Sequence, residues 1–271
     1  MPLAFSTLGC PGMKLSSVVE IAMDQGYHGL ELRAGPDEPV HTGLDGAQRQ
    51  VVSRQLGAAS ITALSVASYV RICDPDVDDD VVVSAGLGHA RLAYDIGARY
   101  LRVFPGGRRP RPATNADDQR GARRLARIIE GCQGLGVSVA LETHDSHHRA
   151  ADVRRIIDQP GCAEATVVWD VLHTWLGAED PSDSLDLLSG RLAYVQIKDV
   201  VSRADLTPRP PAAGALPLAE VAAAVRDRGY DGWISWEYER AWHPSEPPLA
   251  TLAAGVRRWV QSQGLLPRSA H

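Results

Sequence analysis

The feature that most constrains this chain is an alternation of short apolar runs with longer amphipathic ones, met eight times along 271 residues. The short runs cover residues 3–7, 28–33, 61–67, 100–104, 137–142, 166–170, 192–198 and 233–237. Their brevity and their β-branched and aliphatic content predict strands. Between them the apolar spacing changes to threes and fours. In 116–135, Ala122, Leu125, Ile129 and Cys132 share one helical face before Gly136 stops the run. Ser17 and Glu20 have the spacing of a capping box, with Val18, Ile21 and Ala22 on one face and Gly26 closing the helix. Further helices are predicted around 51–56 and at 81–96, 153–157, 184–188, 218–228 and 249–261. Strand then helix, repeated, requires parallel strands joined by crossovers, and eight such units have the size of one α/β (β/α)8 TIM barrel. A doubly wound open sheet is the alternative, but no Gly-rich dinucleotide fingerprint follows an early strand, so no nucleotide cofactor is expected. The barrel is expected to be a single domain over 1–271.

Charge narrows the partners. Twenty-eight Lys and Arg against 33 Asp and Glu leave a formal charge of −5, so no general positive field draws nucleic acid or an anionic membrane. A small molecule is the expected partner. Cys10, Cys73, Cys132 and Cys162 stand far apart without a C-x-x-C pair, which suits reduced thiols in a cytoplasmic protein. The first residues lack a basic and apolar leader pattern, and no run of about 18 apolar residues appears.

In a closed barrel alternate strand residues point inward, and the last of them surround the mouth where active sites are built. Four positions meet this condition. Glu142 shares a face with Ser138 and Ala140, Asp170 with Thr166 and Val168, Gln196 with Tyr194, and Glu237 with Ser235. Asp170 also begins a D-x-x-H with His173, a pattern that taken alone reads as a helix cap followed by a packed histidine. Three carboxylates converging on one mouth repel unless a divalent cation lies between them, which makes a metal the economical solution. The alternative is that the acids face solvent in separate loops.

Four motifs then match a family. ALETH at 140–144, VVWDVLHT at 167–174, YVQIKDV at 194–200 and GYDGWISWEYE at 229–239 resemble the xylose isomerase-like barrel superfamily, nearest its sugar phosphate isomerase/epimerase branch. LAFSTLG at the first strand and YLRVFPGG at the fourth extend the resemblance over nearly the whole chain. The resemblance implies one divalent metal held by Glu142, Asp170, Gln196 and Glu237, with His173 contacting substrate. Most members carry histidine where Gln196 stands, and hydroxypyruvate isomerase-like members are similar to this chain in using glutamine. An all-oxygen shell suits hard Mg²⁺ or Mn²⁺ better than Zn²⁺. The usual G-x-G before helix seven survives only as Ala212 and Gly214, which leaves the family's substrate contacts there without their usual residues.

The implied chemistry is proton transfer beside a carbonyl, with Glu142 and Glu237 exchanging the proton through an enediolate that the metal stabilises. A sugar or keto-sugar, phosphorylated or not, is the expected substrate, and a homo-oligomer is expected by analogy. A lyase or dehydratase of the same superfamily is the second reading. Apurinic endonucleases share the barrel but need extra histidines on strands two and three and a D-x-H pair, where this chain reads VASYVRI and DVVSRADL. A non-catalytic sugar-binding barrel would need no pair of opposed glutamates. Around the mouth, Arg108, Arg109 and Arg111 follow Gly106 and Gly107 and could hold a phosphate, though such a loop is more often a solvated surface. Glu31 either binds substrate hydroxyls or pairs with Arg33. His144, His147 and His148 form a metal-like run, but loop histidines are usually solvated, and only His144 adjoins a matched motif. Trp175, Trp236 and Trp242 either wall the sugar or pack.

Overall fold

The structure, a computed structural model, describes residues 1–107 and 112–266. Eight parallel strands close on themselves: β1 (Leu3–Ser6), β2 (Gly29–Arg33), β3 (Thr62–Arg71), β4 (Tyr100–Phe104), β5 (Ser138–Glu142), β6 (Thr166–Asp170), β7 (Leu192–Ile197) and β8 (Trp233–Trp236). Closure comes from β8 pairing with β1 in the register Leu3 to Ile234, so the expected single (β/α)8 barrel is what the chain forms. Helices α1 (Leu15–Asp24), α2 (Gly46–Ala58), α3 (Asp79–Ile96), α4 (Asn115–Cys132), α5 (Ala150–Ile157), α6 (Val171–Leu176), α7 (Pro181–Leu188), α8 (Leu218–Asp227) and α9 (Leu249–Ser262) surround it. Among the described residues no helix is long and apolar enough to cross a membrane. All four cysteines are buried and unpaired.

The period of two along each strand divides the apolar residues between two cores. Outward residues such as Phe5, Leu30, Leu101, Leu141, Trp169 and Trp236 pack against the helices. Inward residues Ala4, Leu64, Ala140, Val168, Tyr194 and Trp233 fill the barrel axis as a separate cluster. Gly29 belongs to that inner face for a steric reason: a Cβ there would stand 2.7 Å from the Trp233 ring and 3.0 Å from the Thr62 carbonyl oxygen. The indole therefore occupies the place of a β2 side chain. Above this plug the inner face turns polar, and the chain's buried charge collects there.

Local chemistry explains where elements depart from the sequence reading. Helix α1 starts two residues before Ser17, and its N-cap Lys14 makes no side-chain capping bond, so Ser17 and Glu20 do not form the expected box. Reciprocal boxes lie instead at α4, between Thr114 and Asp117, and at α2, where the Asp45 carboxylate accepts from Gln48 N–H and the Gln48 amide oxygen accepts from Asp45 N–H, both at 2.8 Å. Strand β3 runs on to Arg71, because Ile72 N–H finds the Phe104 carbonyl and Cys73 N–H the Pro105 carbonyl beside it. Ser138, placed by alternation toward the lumen, is exposed at the strand's start. In the proline- and alanine-rich stretch after β7, Asp199–Val200 and Pro208–Arg209 form a short antiparallel ladder. Within that stretch Ala212 takes φ +69°, the left-handed conformation that suits a glycine. Gly214 N–H donates to Asp199 Oδ2 at 2.9 Å, and a Cβ on Gly214 would meet the Val200 carbonyl oxygen at 2.3 Å.

Candidate active site

The carboxyl ends of β5 to β8 bring the four sequence-predicted positions to one end of the lumen. Glu142 and Asp170 are the last residues of β5 and β6, Gln196 is the penultimate residue of β7, and Glu237 follows β8 directly. Register aligns Asp170 with Gln196 and Gln196 with Ser235. Glu237 is held one step higher by its own N–H to the Ile197 carbonyl at 2.9 Å. None of the four side chains faces solvent, since their residues are between 0% and 5% exposed. Asp170 divides its oxygens: Oδ1 caps α6 by accepting from Leu172 N–H at 2.9 Å, while Oδ2 lies 3.5 Å from His173 Nε2. Thr143 pins the same residue, accepting from Asp170 N–H at 2.9 Å and donating to its carbonyl at 3.2 Å. The cap reading and the site reading of D-x-x-H thus use different atoms of one carboxylate.

Two cations supply compensation that the sequence reading assigned to a metal. Arg102, on the inner face of β4, places Nε 3.3 Å from Glu142 Oε2 and donates through Nη1 to the Ser68 carbonyl at 2.7 Å. Lys198, just past β7, places Nζ 2.8 Å from Asp170 Oδ2, hydrogen-bonds Glu237 Oε2, and reaches Glu239 Oε1 at 3.1 Å. Gln196 turns its amide nitrogen to Glu31, at 2.9 and 3.1 Å from the two oxygens, and to Glu237 Oε1 at 3.3 Å. Sequence reasoning passed over Arg102 and Glu239 and met Lys198 only as a motif letter. The available signal was an arginine on the same face as Tyr100 and Phe104, between outward-facing Leu101 and Val103.

The pKa directions show a site with surplus negative charge. Burial first, then the nearby Glu237 and Glu142 charges, push Glu31 up to about 7, with Arg102 opposing. Burial also raises Glu142 above the usual carboxylate range, although Arg102 and His144 pull the other way. Burial alone would lower Lys198, but Asp170, Glu237 and Glu239 outweigh it and keep the ammonium charged. Five carboxylates, those of Glu31, Glu142, Asp170, Glu237 and Glu239, face the two cations Arg102 and Lys198. Fully ionised, they leave three uncompensated negative charges, the difference between those five and two.

Of the four ligand candidates, Gln196 leaves a buried oxygen, Oε1, with no partner, whereas Glu142 Oε2 and Asp170 Oδ2 make no hydrogen bond but rest against the cations Arg102 and Lys198. The Gln196 oxygen is the one left over once its amide nitrogen faces Glu31. In donor type, the orphaned Gln196 oxygen and net charge, the set fits a hard divalent cation. In position it needs one change. Among the described residues no three His, Cys, Asp or Glu side chains are close enough together to hold an ion as they stand, and Lys198 lies between Asp170 and Glu237.

The peripheral candidates separate clearly. Glu31 is fully buried and faces the lumen, while Arg33 pairs with Glu38 at 2.8 Å and lies over the Trp242 ring at 4.7 Å, so the Glu31–Arg33 pair does not form. His144 lies against His173 with ring centroids 4.0 Å apart and the rings tilted by 50°, next to the cluster. His147 corrects the expectation of solvated loop histidines: it is 0% exposed, with Nε2 2.8 Å from Asp118 Oδ1 and Nδ1 2.9 Å from Ser146 Oγ. Trp236 faces outward into the helix layer and is packing rather than a sugar wall. Trp175 lies under the Arg203 guanidinium at 4.1 Å, and Trp242 is exposed. Arg108, Arg109 and Arg111 lie outside the described residues. A cavity of about 720 Å³ opens among the loops after β4 to β7, walled by Asn115, Asp145, His148, Arg149, Leu176 and Arg203. Its Asp145 wall adjoins His144, and so connects it by contact to His173 and Asp170.

A family model described as a xylose isomerase-like TIM barrel matches residues 19–263. The chain belongs to this family. A Streptomyces coelicolor protein that carries the provisional name hydroxypyruvate isomerase is 31% identical over 107 residues, 40% of this chain and 37% of that protein. Family membership therefore rests on the longer match, and the relative shares only part of its length. The IolI protein with a bound zinc atom superposes with a TM-score of 0.82 at 17% identity, covering 98% of each chain. D-Psicose 3-epimerase from Clostridium cellulolyticum H10, solved with D-tagatose, superposes at 0.81 and 14% identity, covering 98% of this chain and 100% of its own. At such identities the likeness is one of fold.

Proposed function

We propose that this member of the xylose isomerase-like family is a divalent-metal-dependent sugar or sugar phosphate isomerase or epimerase. The observation that carries this reading is a pair of buried glutamates on non-adjacent strands, Glu142 and Glu237, each paired with its own cation at one end of the lumen. Two carboxylates so placed can take a proton from a carbon beside a carbonyl and return it elsewhere. Glu142, Asp170, Gln196 through Oε1, and Glu237 would hold the ion, and the all-oxygen set favours Mn²⁺ or Mg²⁺. When bound, such an ion supplies Lewis-acid polarisation of the substrate carbonyl.

The chain's own groups do the rest. Burial raises Glu142 and makes it a better proton acceptor than a solvated carboxylate, while Arg102 keeps its charged form accessible. Thr143 and the α6 cap fix Asp170, so the carboxylate beside His173 does not rotate. His173 and His144, in ring contact at the edge of the cluster, are placed to orient substrate oxygens arriving from the cavity among the loops after β4 to β7. The relative's name and the epimerase fold agree with this chemistry. Glu237→Gln should abolish solvent-deuterium incorporation into a turned-over ketose, followed by NMR in D₂O across a panel of ketoses and their phosphates. Retained exchange in that variant rules out Glu237 as a proton carrier.

A further inference from the structure

Lys198 stands where the proposed ion would share carboxylates. Its Nζ contacts Asp170 Oδ2 and Glu237 Oε2, both in the candidate ligand set, and also Glu239 Oε1, which is not. The three partners differ in depth. The Asp170 and Glu237 side chains are 0% and 6% exposed, whereas Glu239 lies at the rim with 21%. An ammonium and a divalent cation cannot both sit against Asp170 and Glu237, because like charges at such range repel strongly wherever water is excluded. The lysine stem is flexible, so its head can move toward the rim while β7 stays fixed.

We propose that Lys198 is a built-in competitor for the metal. It holds Asp170 and Glu237 together before the ion arrives and withdraws onto Glu239 when the ion binds. Glu239 is then a positioning residue that accepts the displaced ammonium, so that the charge is never left unpaired in the interior. This inference rests on the metal-dependent reading above, and it explains why a carboxylate outside the ligand set reaches the same nitrogen. It also assigns a role to the second acid of the W-E-Y-E motif, Glu239, apart from its neighbour Glu237.

The test is Mn²⁺ affinity of the chelator-stripped full chain, read from the free-Mn²⁺ resonance by electron paramagnetic resonance at constant pH. Lys198→Gln, which removes the competing charge but keeps a hydrogen-bond donor, should bind Mn²⁺ at least about tenfold more tightly than wild type. Glu239→Gln, which removes the second berth, should bind it roughly tenfold more weakly. A merely structural role would weaken both variants. In the Lys198→Gln background Glu239→Gln should change affinity less than about twofold, since its effect runs through the lysine. An equal loss in both backgrounds would show direct attraction between Glu239 and the ion and overturn the exchange. If Lys198→Gln does not fold, Glu239→Gln still decides, because wild-type affinity in that variant overturns the proposal. Wild type that binds no Mn²⁺ at millimolar concentration overturns the metal reading itself, a result distinct from a wild type that binds while the variants leave affinity unchanged.

Discussion

Replacing Arg102 by methionine isolates the price of the buried charge. The guanidinium lies 3.3 Å from Glu142 Oε2, and the two side chains are 11% and 2% exposed. Two unit charges at that separation attract by about 5 kcal/mol at an effective dielectric of 20. Breaking a buried pair by removing one partner typically costs about 3–5 kcal/mol. Arg102→Met should therefore lose about 3–5 kcal/mol in urea unfolding monitored by tryptophan fluorescence. Glu142 escapes part of that loss by staying protonated, and the sign follows from its raised pKa. A carboxyl whose folded pKa lies above its unfolded value contributes stability below the unfolded pKa and loses it as pH rises through the folded one. The defect should accordingly be larger at pH 8 than at pH 5. Adding Glu142→Gln should restore at least about 2 kcal/mol, because no unpaired charge then remains inside. A loss below about 1 kcal/mol, or no recovery in the double variant, would show that the pair does not carry the balance assigned to it.

Two further expectations test the scaffold. Gly29→Ala places a Cβ 2.7 Å from the Trp233 ring, and overpacking of this kind should cost about 1–3 kcal/mol in the same assay; unchanged stability would mean that the indole yields freely. Asp117 accepts from Thr114 N–H at 2.9 Å, from Thr114 Oγ1 at 2.8 Å and from Arg120 at 2.8 Å. Burial would raise its carboxyl, but these partners outweigh it and hold the group at about 2. Its contribution is thus full above the ordinary value of 3.8 and is lost as pH falls through about 2. Asp117→Ala should cost about 1–2 kcal/mol at pH 7, the range for losing a helix cap. In thermal melts between pH 7 and pH 2 the gap from wild type should narrow toward acid, and a constant gap would refute the assignment.

Much of the architecture was legible because a parallel barrel writes its period into each strand. Strands β4 and β6 match their expected limits at 100–104 and 166–170, and the other six differ from theirs by a few residues at an end. Helix α6 was missed because its six residues carry too little periodicity to register between β6 and α7. The burial of His147 was missed for a different reason. Its partner Asp118 lies 29 residues earlier on α4, and nothing in the THDSHH run announces that contact.

Alternation along the strands, by itself, determined only which neighbours share a face with Glu142, Asp170, Gln196 and Glu237, since side-chain direction in a strand depends on parity alone; separate solvent-facing loops stayed open as the alternative until barrel closure turned the four faces to one lumen. Tertiary structure alone decided what each meets there. Gln196 turns its nitrogen to Glu31 across 165 residues of sequence, Arg102 finds Glu142 from the neighbouring strand, and Lys198 gathers one acid from the end of β6 and two from the segment after β8. Which cation stands beside which carboxylate follows from the closure and stagger of the barrel, and a linear pattern of residue types contains neither.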